Sequence, residues 1–286
     1  METDTPPETA DARALAPPRW RTRVNQTYAF TARSLREVAG SVTLLFWVLG
    51  FPPVMYLLYA TQNSDAPATL AATTSVGIAV FGAIFVCLYL FGNQLVIDVE
   101  ARRYAAYRTM GISAAADLSG RLLAGLVLGA VAFAATVATG VATGASYGLR
   151  GPESVPIVVL AGVLTCLFWM IVAIPLVLAT SNERVAEWTT TLVAVGAFAL
   201  TGFNGVLPEL SPLEGEVLNL LPNTLPTRLL VYHLVPAESW ADLGTAPPVM
   251  PAGPEYVALL VSYTVVALAV GVVLVNRSLY GRGWWP

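Results

Sequence analysis

Residues 98–121 read DVEARRYAAYRTMGISAAADLSGR. Seven of these 24 residues carry a charge, whereas residues 69–97 before them and 122–147 after them carry none. An uncharged apolar run of about 20 residues is long enough to cross a bilayer as a helix. A stretch with seven charges is not stable in hydrocarbon. The segment is therefore a polar island between two membrane spans, and its reading makes the chain an all-α integral membrane protein.

The composition agrees. The chain has 286 residues, 56% hydrophobic and 12% charged, and that charged share is half the roughly 25% of a soluble domain. No stretch is polar enough to form a second domain, so residues 19–286 read as one transmembrane domain. All 15 basic residues are arginine. A Walker motif needs a lysine on the phosphates, so the chain has no ATP-hydrolysing loop of its own. A net charge of −3 points to no nucleic-acid partner. Cys87 and Cys166 each lie in the middle of an apolar run and read as small apolar filler. His233 is the single histidine and has no Cys or carboxylate cluster near it, so no metal ligand is expected.

Residues 1–18 are rich in Pro, Thr, Ala and acidic side chains and read as a disordered cytoplasmic tail. They lack the basic start and apolar core of a signal peptide. Residues 19–39 place Trp20, Val24, Tyr28, Leu35 and Val38 at near-helical spacing among arginines, the pattern of an amphipathic helix lying on a membrane surface. Six spans are expected at about 41–60, 69–97, 122–147, 155–180, 185–207 and 255–275. Pro52-Pro53 should kink the first. The third carries two pairs of small residues at i, i+4, Gly125 with Gly129 and Gly140 with Gly144, which would let helices approach closely. Residues 208–254 are rich in proline yet keep apolar stretches. They read as two short, half-inserted helices meeting near Leu221-Pro222. Trp284-Trp285 in the tail suits the interface.

Arginine counts set the orientation. Thirteen lie in the N-terminal region, the 98–121 segment, the link between the fourth and fifth spans, and the tail; only Arg150 and Arg228 lie opposite. The positive-inside rule puts both termini and the 98–121 segment in the cytoplasm of a multi-pass plasma-membrane protein.

Few residues could carry chemistry. Charges fall at span boundaries: Asp117, Arg121 and Glu187 are expected at cytoplasmic ends, in reach of water. The polar residues inside spans, Asn93, Thr136, Thr139, Thr143 and Asn204 among them, could line a pathway; threonines in a membrane helix also commonly bond their own backbone. No hydrolase or zinc-protease motif is present, and no catalytic residue is assigned. Within the 98–121 segment, residues 98–110 read as a helix with Tyr104, Tyr107 and Met110 on one face, flanked by Arg102, Arg103 and Arg108. Gly111 is a helix stop and Ser113 a new N-cap. Aromatics, Met and Arg suit protein contacts. The other reading is an ordinary cytoplasmic hairpin.

Four features together resemble the permease subunits of the ABC-2 family of ATP-driven transporters, over nearly all of residues 19–282. An amphipathic helix precedes the first span. That span has a mid-helix proline pair in LGFPPVMYLLYA, residues 49–60. The link after the second span has the family's acidic residue, basic residues and short turn, here Glu100, Arg102-Arg103, Arg108 and Met110-Gly111-Ile112-Ser113. The connection before the last span, GFNGVLPELSPLEGEVLNLLPNTLPTRLL at residues 202–230, is similar to the family's glycine and Leu-Pro run of two re-entrant helices. Gly111 stands where the family often has proline, and residues 245–254 extend that connection.

The resemblance implies a function. Two permeases, alike or paralogous, would pair in the membrane lipid. Each would meet a separate ATPase subunit that binds ATP and Mg, this chain binding no cofactor. The coupling contact would be Glu100, Arg102, Arg103, Tyr104, Tyr107, Arg108 and Met110. The cargo would be an amphiphilic or hydrophobic substrate moved outward. A non-transporting membrane scaffold or assembly factor is the alternative.

Overall fold

The computed structural model describes residues 19–180, 182–235, 237 and 250–281, where all regular structure is helical. In chain order the elements are α1 (Arg19–Ala39), α2 (Val42–Gln62), α3 (Ala68–Glu100), α4 (Arg103–Thr109) and α5 (Ala114–Ala142). There follow α6 (Ser154–Leu178), α7 (Glu183–Leu200), α8 (Gly202–Gly205), α9 (Gly215–Leu218), α10 (Thr224–Leu234) and α11 (Pro254–Leu279). The expected tail at 1–18, Trp284-Trp285 and residues 245–249 lie outside the described residues.

A helix that is apolar on every side is satisfied by burial on every side. α3 is that helix. It runs 33 residues, about 50 Å, and its most apolar stretch is wholly enclosed by α2, α5, α6, α7, α8 and α10. α11 packs outside, on α6. Five helices are long and apolar enough to cross a membrane: α2, α3, α5, α6 and α11. The other four turn large apolar side chains outward, such as Leu58, Val127, Val159 and Val266, as hydrocarbon-facing helices do.

Several boundaries differ from the sequence expectation, each for a physical reason. The span expected over 185–207 is an 18-residue helix that stops at Leu200. Its first five residues include Glu183, Arg184 and Glu187, and after its end the chain passes through four residues of positive φ, Gly202, Phe203, Asn204 and Gly205. The helix of the third span starts at Ala114, because Asp117 and Arg121 are paired and buried within it. The helix expected over 98–110 is broken at Arg102, whose φ is 52°. Pro52-Pro53 follows a π-helical turn at Phe46–Gly50, where Phe51 N–H reaches back five residues to Phe46 O. The ladder is thus already shifted where proline removes a donor.

The glycine pairs have different fates. Gly125 and Gly129 both face α6; a Cβ on Gly129 would lie 2.8 Å from Cys166 Sγ. Gly140 packs on Ser75, but Gly144 lies past the helix end with φ +91° and open space around it. It terminates a helix rather than joining two. On α1 the apolar stripe divides. Phe30 and Val38 are buried, whereas Trp20, Val24 and Tyr28 are exposed. Close approach to α5 rests on Gly120, where a Cβ would fall 2.5 Å from Phe30 Cβ, and Thr31 Oγ1 donates to Gly120 O at 3.0 Å.

Gly120→Leu should push α1 off α5 and cost about 1–3 kcal/mol by overpacking. Both cysteines are buried, so a thiol-reactive fluorophore reports thermal unfolding, and the midpoint should drop by several degrees. An unchanged midpoint would contradict this packing.

Candidate functional site

The last turn of α3 carries Asp98 directly after the apolar run. Its side chain has no solvent exposure, and a buried carboxylate survives only if donors replace water. Three arginines and a tyrosine supply them. Arg33 of α1 approaches through Nη2 at 2.9 Å and Nη1 at 3.3 Å. Arg103 Nη1 donates at 2.5 Å, Arg121 Nη2 closes on the other oxygen, and Tyr107 donates its hydroxyl at 3.0 Å. Arg121, itself buried, also donates through Nε to Asp117 Oδ1 at 2.7 Å and lies over the Phe30 ring. Tyr280, at the end of α11, donates to Asp117 Oδ2 at 3.1 Å. One carboxylate thus fastens α1, α3, α4 and α5, and through Arg121 and Asp117 also α11.

The electrostatics follow. Three guanidiniums share two carboxylates, so the cluster holds one excess positive charge. The hydrogen bond to Asp98 raises the Arg33 pKa further. Burial, with the Asp98 charge beside it, raises that of the Tyr107 phenol, which keeps its proton and donates. Asp117 and Arg121 are 2% and 4% exposed, so the expectation that they reach water is corrected: they face each other instead. Glu187 is half-buried and accepts from the Tyr89 hydroxyl at 2.9 Å.

The residues named from the sequence for the coupling segment fall on three faces of α4. Tyr104 and Tyr107 point inward and are buried; Tyr104 meets the edges of Tyr107 and Tyr280. Arg103 joins the Asp98 cluster. On a second face, Arg108 Nη1 donates to Leu279 O at 2.9 Å. Glu100 accepts the Glu183 backbone N–H at 2.6 Å, joining α3 to the start of α7. The third face is exposed: Ala106, Thr109 and, just beyond the helix, Met110. Gly111, at φ +67°, ends α4, and Ile112 N–H returns to Tyr107 O. Ser113 begins α5, but its side chain makes no capping bond; its N–H goes to Gln26 Oε1 of α1 instead.

The residues named as possible pathway lining do not converge. Thr136, Thr139 and Thr143 donate to carbonyls of their own helix, at Ala132, Ala135 and Thr139. Thr143 also meets the Tyr56 hydroxyl. Asn93 is half-buried in α3. Asn204 lies in the left-handed turn after α7, where its Oδ1 accepts from Asn223 at 3.1 Å.

A comparison with protein-family models and with curated proteins finds no match. The function must therefore be argued from the geometry. Among the described residues no group of three His, Cys, Asp or Glu could hold a metal ion.

Sequence reasoning missed a second polar cluster at the opposite end. Arg228, counted from the sequence only as one of two arginines on the side opposite the 98–121 segment, is 1% exposed. Its Nε donates to Asn219 Oδ1 at 2.5 Å, its Nη1 to Gly205 O at 3.1 Å and its Nη2 to Met250 Sδ at 3.4 Å. The only signal was an arginine inside an otherwise apolar stretch.

Asp98→Asn leaves three guanidiniums around a neutral amide. The expected loss is about 3–5 kcal/mol, read as a lower unfolding midpoint with protease cleavage near Arg33. Arg103, 41% exposed, should matter less: Arg103→Gln should cost no more than about 1 kcal/mol. Equal losses would show that Asp98 is not the centre.

Proposed function

We propose that this chain is the permease subunit of an ATP-driven ABC-2 type transporter, energised by a separate ATPase subunit that docks on α4. The observation that carries the reading is the division of α4 into faces. Its outer face presents Ala106, Thr109 and Met110 to the surroundings. Its inner face is tied through Tyr107, Arg103 and Asp98 to α1, α3 and α5. A partner pressing on α4 would displace several spans together. The sequence resemblance and the lack of lysine support the reading, because the energy source must then be another chain.

In this reading α7, about 27 Å long, is the fifth of six spans. α9 and α10, broken at Pro222, are the re-entrant pair, and the arginine-rich side is cytoplasmic. A second permease, identical or paralogous, completes the complex, ATP and Mg reside on the partner, and the cargo is an amphiphilic or hydrophobic substrate exported across the plasma membrane. One observation favours the alternative, a non-transporting scaffold: the three threonines of α5 spend their hydroxyls on carbonyls of their own helix. A pathway would then have to run between protomers.

Ala106→Trp and Met110→Asp change the outer face without touching the Asp98 cluster. Each should abolish co-purification of a Walker-motif ATPase and the associated ATP hydrolysis while leaving the unfolding midpoint within about a degree. Purification from native membranes that never yields such an ATPase supports the scaffold. For topology, Asp65→Cys and Gly215→Cys should react with an impermeant maleimide from outside, and Ala106→Cys should not. The reverse pattern overturns the orientation.

A further inference from the structure

A cavity of about 620 Å³ lies beside α4, between the end of α3, the end of α6, the start of α7 and the end of α11. Its walls differ in kind. Val99, Leu178 and Leu279 supply aliphatic surface, and Arg102 and Arg108 are the two cations of the lining. Among the described residues neither arginine is in an ion pair: the four ion pairs belong to Arg33, Arg103 and Arg121. Arg108 uses one nitrogen on Leu279 O and keeps further donors. Glu100, the one carboxylate in the lining, is engaged by the Glu183 N–H.

Arg102 adds a second observation. It sits at φ 52°, ψ 28°, a left-handed conformation that costs a long side chain about 1–2 kcal/mol. Strained residues persist where the surroundings hold them for a purpose. Here the left-handed turn sets the break between α3 and α4 at a residue that lines the cavity. The cavity also sits at the level where the apolar part of α3 ends, that is, at the boundary between hydrocarbon and water.

We propose that this cavity binds the phosphodiester headgroup of an anionic phospholipid, with the first part of an acyl chain against Val99, Leu178 and Leu279. Two guanidiniums match phosphate oxygens, and basic pockets between membrane helices on the cytoplasmic side are suited to such headgroups. A zwitterionic lipid would bring its own cation to the same place and gain little. The site rests on the membrane embedding and orientation of the helices, not on ATPase docking: the cavity face of α4 carries Arg102, Ala105 and Arg108, and the docking face carries Ala106, Thr109 and Met110.

The test uses the full-length chain in detergent without any partner, read by native mass spectrometry. Phosphatidylglycerol should bind at one molecule per chain, at least about tenfold more tightly than phosphatidylcholine of the same acyl length. Arg102→Gln with Arg108→Gln should remove that preference. Leu178→Trp, which fills the cavity without altering charge, should block binding as well. Arg23→Gln on the exposed face of α1 should leave the single bound lipid in place. Equal binding of both lipids, persistence in the double variant, or the same loss in Arg23→Gln overturns the proposal. Full competition by glycerol phosphate at equal concentration overturns the lipid assignment, since a small phosphate would then suffice. Because no ATPase is present, failure here leaves the docking reading untouched, and failure of docking leaves this result standing.

Discussion

The buried carboxylate of Asp98 is the constraint on which the cytoplasm-facing end, as proposed, depends. It is a single acidic group with no access to water, and the chain solves its desolvation by bringing three guanidiniums from three helices. That solution fixes the angle at which α1 crosses α5 and the place where α4 must lie. Arginine suits this role, because a planar guanidinium can divide its donors between two acceptors. Arg121 does so between Asp98 and Asp117, and Arg33 between Asp98 and the Tyr107 oxygen.

Away from that cluster the architecture follows from what can face hydrocarbon. α3 is apolar on all sides and enclosed, while the outer helices keep apolar residues on both faces. Aromatic rings fill the space on one flank: Trp47 and Phe51 of α2 lie against Phe85 of α3, and Phe81 lies against Phe198 of α7. At the far end, the reversal at Gly202–Gly205 brings Val206 against Gly77. It also gives Arg228 the Gly205 carbonyl as a partner. Both ends are therefore closed by a buried arginine that finds its acceptors through chain reversals.

The apolar runs were legible because bilayer thickness imposes their length: α2, α3, α6 and α11 lie within a few residues of their expected positions, whereas α5 begins eight residues before its expected start because its first turns carry the buried Asp117 and Arg121. The polar island at 98–121 was legible for the complementary reason. Its internal arrangement was not. Asp98 and Arg33 are 65 residues apart, and no local pattern announces their pairing. Asp117 and Arg121, four apart, carried a helical pairing signal, but their proximity to an expected span end suggested water rather than burial. Tyr104 and Tyr107 share one face of a helix as expected, but Met110, expected with them, lies past the end of α4 and is exposed; only the cluster tells which way the tyrosine face turns. The backbone breaks at Arg102 and Phe203 had no signal, because neither residue type favours positive φ; Asn204-Gly205 is a turn-forming pair, but it was read as part of an apolar span.

Enclosure of α3 has a mechanical consequence. A rod gripped on every side cannot shift sideways without parting from all its neighbours together, so large excursions of this bundle belong to the sleeve and not to the spindle. Outer helices can slide or rock around α3 while losing few contacts at a time. α3 then serves as the fixed reference for such motion, with Asp98 at one of its ends as the pivot about which the attached helices turn.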